Sequence, residues 1–181
     1  MPLTPSTPRR PLHERRIHCA GYEREDGLFD IEAHLFDAKQ YPFHSDWRGP
    51  MPPGTPVHDM WLRVTIDAQM VIHDVQAGMD HSPYPLCPAI VGNFKRLVGL
   101  RIAPGFRREV HKRVGRLQGC THLVELLGPI GTTAYQTLTR EDAAPQPIGT
   151  RQRPYWLDTC HVHALDSPVT RQEWPEFYTG D

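Results

Sequence analysis

Apolar and polar residues alternate along residues 57–81. The first half of this stretch has apolar side chains at every second position, namely Met60, Leu62, Val64 and Ile66. A short turn at 67–69 follows, and the alternation resumes from Val71 to Met79. A period of two places alternate side chains on opposite faces of a strand. We therefore predict a β-hairpin here.

The chain before this hairpin has the same two-residue period. Residues 16–23 and 28–39 read as two more strands, joined by a turn at Asp26-Gly27. Residues 40–56 contain five Pro and two Gly together with three aromatic residues, so we expect a structured loop and a candidate lid. Four strands in succession predict an antiparallel meander.

After residue 82 the period changes to that of a helix. Residues 89–98, 104–114 and a segment beginning near Gly119 carry apolar stripes typical of amphipathic helices. Pro88 suits the first helical position, and Gly99 suits a C-terminal cap. We predict an α+β fold, in which three helices cover one face of the four-stranded meander.

The 181 residues are most simply one domain with two tails. We expect a disordered, basic, Pro-rich arm at 1–15 and a single α+β domain at 16–140. Residues 141–181 are predicted to be an irregular, Pro-rich tail packed on that domain.

Charge and composition exclude several classes of protein. The formal net charge of −1 argues against a nucleic-acid partner. The sequence has no run of about 18 apolar residues and no secretory signal at its start, so we expect no membrane partner and a cytoplasmic location. The four widely spaced cysteines are then expected to be thiols.

The two ends of the central hairpin carry candidate chemistry. Antiparallel pairing should bring His58 and Asp59 near Asp80 and His81. A second candidate is the segment that contains Cys120 and His122 at a predicted helix start, where the helix dipole favours a thiolate. Polar hairpin ends and a buried structural cysteine explain the same residues equally well.

Further candidates lie outside the hairpin. Glu32 and His34 share one strand face with Asp30, which is either a solvated sheet face or a pocket wall. Tyr22, Tyr41 and Trp47 could stack an aromatic ligand. The segment Cys160-His161-Val162-His163 has ligand-type side chains, but its role stays open.

Residues 54–138 resemble the core of NifU-like iron–sulfur scaffold proteins. The similarity lies in Gly54-Thr-Pro-Val-His-Asp before the hairpin, Tyr84 to Cys87, and Gly119-Cys120. The resemblance implies metal ligands at Asp59 and Cys120 and, loosely, at Cys87. Val57 stands where that family has its first cysteine, which removes one thiolate ligand.

Nearly the whole chain resembles an uncharacterised bacterial family, domain of unknown function 2889. The resemblance rests on residues 24–39, His58-Asp-Met, Gly119-Cys-Thr-His-Leu123 and Trp174-Pro175. It implies a role in bacterial breakdown of aromatic, lignin-type compounds, including release of a hydroxymethyl group as formaldehyde. Such a reaction needs a base and an acid and no redox cofactor.

We therefore expect an enzyme that acts by general acid–base chemistry on a small aromatic compound, as a formaldehyde-releasing lyase or as a hydrolase. A metal-binding or iron–sulfur carrier-like protein and a non-catalytic small-molecule binder are the alternatives. The cofactor is expected to be either none or a single zinc or iron ion, and a homo-oligomer stays open. The predicted site comprises catalytic His58, Asp59, Cys120, His122, Glu32 and His34, substrate-binding Tyr22, Tyr41, Trp47, Asp80 and His81, and metal candidates His58, Asp59, Cys120 and His122.

Overall fold

The structure of the protein, a computed structural model, describes residues 4, 7–139, 152–154 and 156–181. The chain divides into two compact units, residues 1–139 and 140–181. Much of the predicted N-terminal arm and the first part of the predicted tail lie outside the described residues. Residues 13–15, which we assigned to the arm, belong to the first strand.

The first unit is built on a four-stranded antiparallel sheet. Its strands are β1 (His13–Glu23), β2 (Phe29–Lys39), β5 (Pro56–Ile66) and β6 (Ile72–His81), in the spatial order β1-β2-β5-β6. Neighbours in space are neighbours in the chain apart from an inserted hairpin, so the predicted meander is confirmed. The α+β class is confirmed with it, because the helices follow the sheet along the chain.

The inserted hairpin occupies the loop that we expected at residues 40–56. It consists of β3 (Phe43–Ser45) and β4 (Gly49–Met51), which form a separate two-stranded sheet. Gly49 adopts a φ of 75°, a left-handed conformation that glycine reaches without strain at the end of a tight turn. Met51 is buried, so one apolar side chain anchors the insertion.

Four helical segments of the first unit follow β6, and one of them is the short 3-10 turn Arg116–Gln118. The first, Cys87–Leu97, is a 3-10 helix instead of the α-helix predicted at 89–98. The helix buries Phe94 and Leu97, and the next buried residue of the chain is Leu100. Each is three residues from the one before, the spacing at which side chains eclipse in a 3-10 helix. Helices α1 (Phe106–Val114) and α2 (Thr121–Leu138) agree with the predicted positions.

Helix α2 packs on one face of the sheet, which we call the covered face; the other is the open face. The covered face supplies the apolar positions Phe29, Ile31, Ala33, Leu35, Met60, Leu62, Val64 and Ile66, and α2 supplies Leu123, Leu126, Leu127, Ile130 and Ala134. Gly21 of β1 lies so close to Thr137 of α2 that a Cβ at this position would collide with the threonine side chain. A side chain here would push the helix off the sheet.

The second unit contains one short α-helix among its described residues, α3 (Pro168–Glu173). Ser167 caps it by accepting a hydrogen bond from the backbone N–H of Thr170 at 3.1 Å. Two 3-10 turns, His161–His163 and Pro175–Phe177, flank this helix. In the part of the chain that the structure describes, no helix is both long enough and apolar enough to cross a membrane.

Candidate functional site

Asp37 and His58 form a buried pair on the covered face of the sheet. The two residues are opposite each other in the β2–β5 register, and a register shift follows between Asp37 and Ala38. The imidazole Nδ1 of His58 lies 3.0 Å from Oδ1 of Asp37, and the side chains are only 11% and 2% exposed. An ionised carboxylate can only accept, so the Nδ1–H of His58 is the donor and its Nε2 stays available for chemistry.

Arg15 of β1 holds the other oxygen of Asp37. Its Nε and Nη2 atoms donate to Oδ2 at 3.2 and 2.7 Å, and Nη1 donates to Glu125 of α2 at 2.9 Å. Burial alone would raise the pKa of the Asp37 carboxyl, but the hydrogen bonds from His58 and Arg15 outweigh it and lower that pKa. Asp37 is therefore a carboxylate with both oxygens bonded.

Helix α2 brings His122 against His58. The two ring centroids are 3.7 Å apart at an interplanar angle of 32°, and Cys120 Sγ lies 3.9 Å from His122 Nδ1. Burial is the main cause that lowers the pKa of His122, and the charges of His58 and Arg15 lower it further. His122 is thus a neutral imidazole at a pH where an ordinary histidine is partly protonated.

A cleft of about 640 Å³ opens on this histidine pair. His58, Cys120 and His122 lie together in its wall, as we expected from the sequence. The rest of the wall is largely apolar and is formed by Met60, Pro83, Tyr84, Leu86, Cys87, Ala89, Ile90 and Leu117, with Arg116, Gly119 and Thr121 beside them. An apolar cleft with a few convergent polar groups is the usual form of a small-molecule site.

The same cluster contains a metal-capable set. Asp37, His58 and His122 each offer one ligand atom, and these atoms all lie within 4.8 Å of one another. Two imidazoles and a carboxylate are a common ligand set for zinc and non-haem iron. The Asp37 oxygens, however, already accept hydrogen bonds from His58 and Arg15, so a metal would have to displace at least one of them.

Asp59 is on the open face, away from His58, because adjacent residues of a strand point to opposite sides. It lies 2.6 Å from Nε2 of His34, and Nδ1 of His81 is 3.9 Å from its second oxygen. The pairing of Asp59 with His81 agrees with the predicted hairpin ends. The prediction that one site unites Asp59 with His58 and Cys120 is corrected to two clusters on opposite faces.

Other predicted residues also lie on the open face. A bulge before His81 lets Asp80 accept a hydrogen bond from Nε1 of Trp61 at 2.8 Å. Glu32 accepts from Arg63 at 2.7 Å, and Tyr22 pairs with Asp30 in the β1–β2 register. None of these side chains lines the cleft beside His122.

The two aromatic residues predicted in the loop occupy different places. Trp47 is in the turn between β3 and β4 and meets the ring of Tyr84 edge-on, with 6.4 Å between the centroids. Since Tyr84 lines the cleft, Trp47 is next to its wall. Tyr41 lies under the ammonium group of Lys39, 5.4 Å from the ring centroid, and does not line the cleft.

Asp37, Arg15 and Arg116 were not among the site residues predicted from the sequence. The signal for the first two was present, because the covered-face positions of β2 run 29, 31, 33, 35 and therefore 37. An acidic residue at the next position of a buried apolar strand face needs a buried partner for its charge. Arg15 lies opposite Asp37 in the β1–β2 register.

In the second unit, Cys160 lies 3.6 Å from Nδ1 of His163, and the ring of His163 meets Trp174 edge-on. Within the described residues, this segment does not gather three ligand atoms suitable for a metal. Its role stays open.

Comparison with known proteins agrees with one of the two resemblances. A search of the curated proteins and a search of the solved structures found no match, and the NifU-like resemblance stays a prediction. The family model described as "Protein of unknown function (DUF2889)" matches residues 13–136. This match spans the whole sheet, the cleft and nearly all of α2, which is well over half of the chain. The chain therefore belongs to this family.

Proposed function

We propose that the protein is an enzyme that performs general acid–base chemistry on a small aromatic molecule bound in the cleft. The observation that carries this proposal is the contact between His58 and His122 at the polar part of an otherwise largely apolar wall. Two imidazoles in contact can hold a base and an acid side by side, since a proton on one ring disfavours a proton on the other.

His122 is proposed as the base. Its lowered pKa keeps the ring neutral near pH 7, so it can accept a proton from a bound hydroxyl group. His58 is the neighbouring group that can relay a proton, because its Nδ1–H is fixed on Asp37 and its Nε2 can take up a proton and pass it to the departing oxygen. Asp37 and Arg15 are positioning residues in this scheme, as they orient His58 without lining the cleft.

The finer proposal is a lyase that releases formaldehyde from a hydroxymethyl-bearing aryl ether. The base removes the hydroxyl proton, and the freed electron pair forms the C=O bond of formaldehyde. The bond between the hydroxymethyl carbon and its neighbour breaks, and its electrons form an alkene between that neighbour and the next carbon. The aryl ether C–O bond at this next carbon opens, and its electrons leave with the phenolate oxygen. The departing phenolate takes a proton, so atoms and charge balance without a redox partner. Hydrolysis of an aryl ester or ether would use the same two groups.

Formaldehyde release from a hydroxymethyl-substituted aryl ether dimer tests this proposal. The wild-type protein should release formaldehyde and phenol in equal amounts. His122→Gln should lower the rate at least about a hundredfold, the usual contribution of a general base. His73→Gln is the matched control, because His73 makes an exposed 2.7 Å pair with Asp67 at the far end of the β5–β6 hairpin. Saturable binding of the dimer without turnover would instead favour a non-catalytic binding protein.

A metal-dependent function is the second candidate, supported by the clustered ligand atoms of Asp37, His58 and His122. Elemental analysis of protein purified without a histidine tag separates it from the first. Stoichiometric zinc or iron that is lost in His58→Gln and kept in His73→Gln would favour the metal-binding function. Metal below about a tenth of stoichiometry in active protein would leave the acid–base proposal in place.

A further inference from the structure

Arg116 supplies a positive charge to a cleft wall that contains no carboxylate. Among the residues that form the wall, Arg116 is the one permanent cation, and Asp37 does not reach the wall. The start of helix α2 at Cys120 and Thr121 opens on the same space, and the residue before the helix provides no side-chain cap. A helix start carries partial positive charge, so it adds to the field of Arg116.

The backbone holds Arg116 in an unusual conformation. Its φ is 51°, a left-handed conformation that residues other than glycine adopt only with strain. Gly115 and Gly119 flank the short 3-10 turn that contains Arg116. A Cβ at Gly115 would collide with the carbonyl oxygen of His111, and one at Gly119 would collide with that of Val114. Close packing against α1 therefore fixes the short 3-10 turn Arg116–Gln118 on both sides.

The guanidinium of Arg116 is also available. Among the described residues it has no ion pair or side-chain hydrogen bond, whereas Arg15, Arg24, Arg63 and Arg113 each bond to a protein oxygen. A fixed backbone, an available planar donor and a neighbouring apolar wall are the elements needed to bind a carboxylate on an aromatic ring.

We propose that Arg116 makes the cleft selective for aromatic molecules that carry a carboxylate. The ring lies against the apolar wall, and the carboxylate accepts hydrogen bonds from the guanidinium near the start of α2. This inference rests on the cleft being the ligand site of the proposed function, but it does not depend on which reaction follows.

Binding of 2-naphthoate and of its neutral isostere 2-naphthamide tests the inference. We expect the wild-type protein to bind naphthoate more tightly than naphthamide, measured by calorimetry at fixed ionic strength. Arg116→Gln should weaken naphthoate binding about tenfold, the effect of losing one hydrogen bond to a charged group, and should leave naphthamide binding unchanged. Arg116→Lys keeps the charge but loses the planar pair of donors, so its affinity should be intermediate.

Two further variants separate charge from folding. Arg107→Gln is the matched control, because Arg107 lines a neighbouring cavity together with Arg116 but does not line this cleft. It should leave both affinities unchanged. Arg116→Gly removes the charge and relieves the left-handed strain, so it should fold at least as stably as the wild type and lose naphthoate selectivity.

The outcomes distinguish this inference from the function on which it rests. Equal naphthoate binding by wild type and Arg116→Gln overturns the selectivity role. Naphthamide binding without any preference for naphthoate also overturns it, while leaving an aromatic ligand site in the cleft. Failure of both compounds to bind contradicts the selectivity role and the aromatic ligand site together.

Discussion

The two faces of the four-stranded sheet carry similar side chains in different surroundings. On the covered face, Asp37 and His58 form a pair whose side chains are 2% and 11% exposed. On the open face, Asp59 and His34 form a pair of similar geometry, but their side chains are 19% and 27% exposed. Both are carboxylate–imidazole contacts, and His58 and Asp59 are neighbours in β5.

This difference shows that burial, more than residue type, determines what such a pair can do. Water screens the open-face pair, whose His34 ring stacks on Trp61 at 3.8 Å. The covered-face pair has the Arg15 guanidinium on its carboxylate and a second imidazole against its histidine. Electrostatic interactions are stronger in such a desolvated cluster, so that face is where chemistry is expected.

The largest contrast is expected in activity. His58→Gln should lower the proposed formaldehyde release at least about a hundredfold, since it removes a proton-transferring group at the cleft. Asp59→Asn changes the adjacent residue on the opposite face, and we expect a loss below about threefold. Steady-state rates measured at equal folded concentration compare the two. A loss of activity in Asp59→Asn as large as that in His58→Gln would show that the two clusters act together in one site.

A smaller contrast is expected in stability. Asp37→Ala leaves Arg15 and His58 without their shared acceptor, and breaking a buried pair of this kind should lower the free energy of unfolding by about 2–3 kcal/mol. Asp59→Ala breaks a partly exposed pair and should lower it by less than about 1 kcal/mol. Urea unfolding of both variants gives the comparison. Equal losses would show that the two faces are equally solvated.

The sequence was sufficient to predict the sheet, because an uninterrupted two-residue period defines both the strands and their faces. The same period contained part of the site. Arg15, Asp37 and His58 all continue an apolar series, in β1, β2 and β5 respectively, and a polar residue on such a face indicates a buried network. We assigned His58 and Asp59 to one site because antiparallel pairing brings both to the same hairpin end, although alternation places them on opposite faces.

Other features depend on tertiary structure and have no local signal. The contact between His122 and His58 requires α2 to pack on the sheet at one particular depth, which the close approach of Gly21 to Thr137 helps to fix. Arg116 enters the cleft wall only because two glycines bring the turn against α1. Long-range packing of this kind is set by shape complementarity, which residue spacing does not encode.

Alanine substitutions at two glycines compare the packing of the two faces without changing any charge. Gly21→Ala would collide with Thr137 on the covered face, and overpacking at a helix–sheet contact should lower the free energy of unfolding by about 1–3 kcal/mol. Gly78→Ala on the open face meets nothing within 4 Å and should be neutral within about 0.5 kcal/mol. Thermal unfolding measures both changes. Gly21→Ala combined with Thr137→Ala should recover part of the loss, whereas no recovery would place the strain elsewhere.

The smallest effect is expected in the pH dependence of stability. The pKa of His122 is lowered mainly by burial, so between pH 5 and 7 the unfolded chain protonates this ring at its ordinary pKa of about 6.5 before the folded chain does. The unfolded state then binds more protons, and the free energy of unfolding must fall as the pH decreases through this window. The Asp37 contribution has the same sign but is lost only at lower pH, because the pKa of that carboxyl is itself lowered.

Urea midpoints from pH 5 to 8 should therefore have a shallower slope in His122→Gln than in the wild type. An unchanged slope would mean that water reaches His122 in the folded state, and the two faces would then differ in geometry but not in solvation.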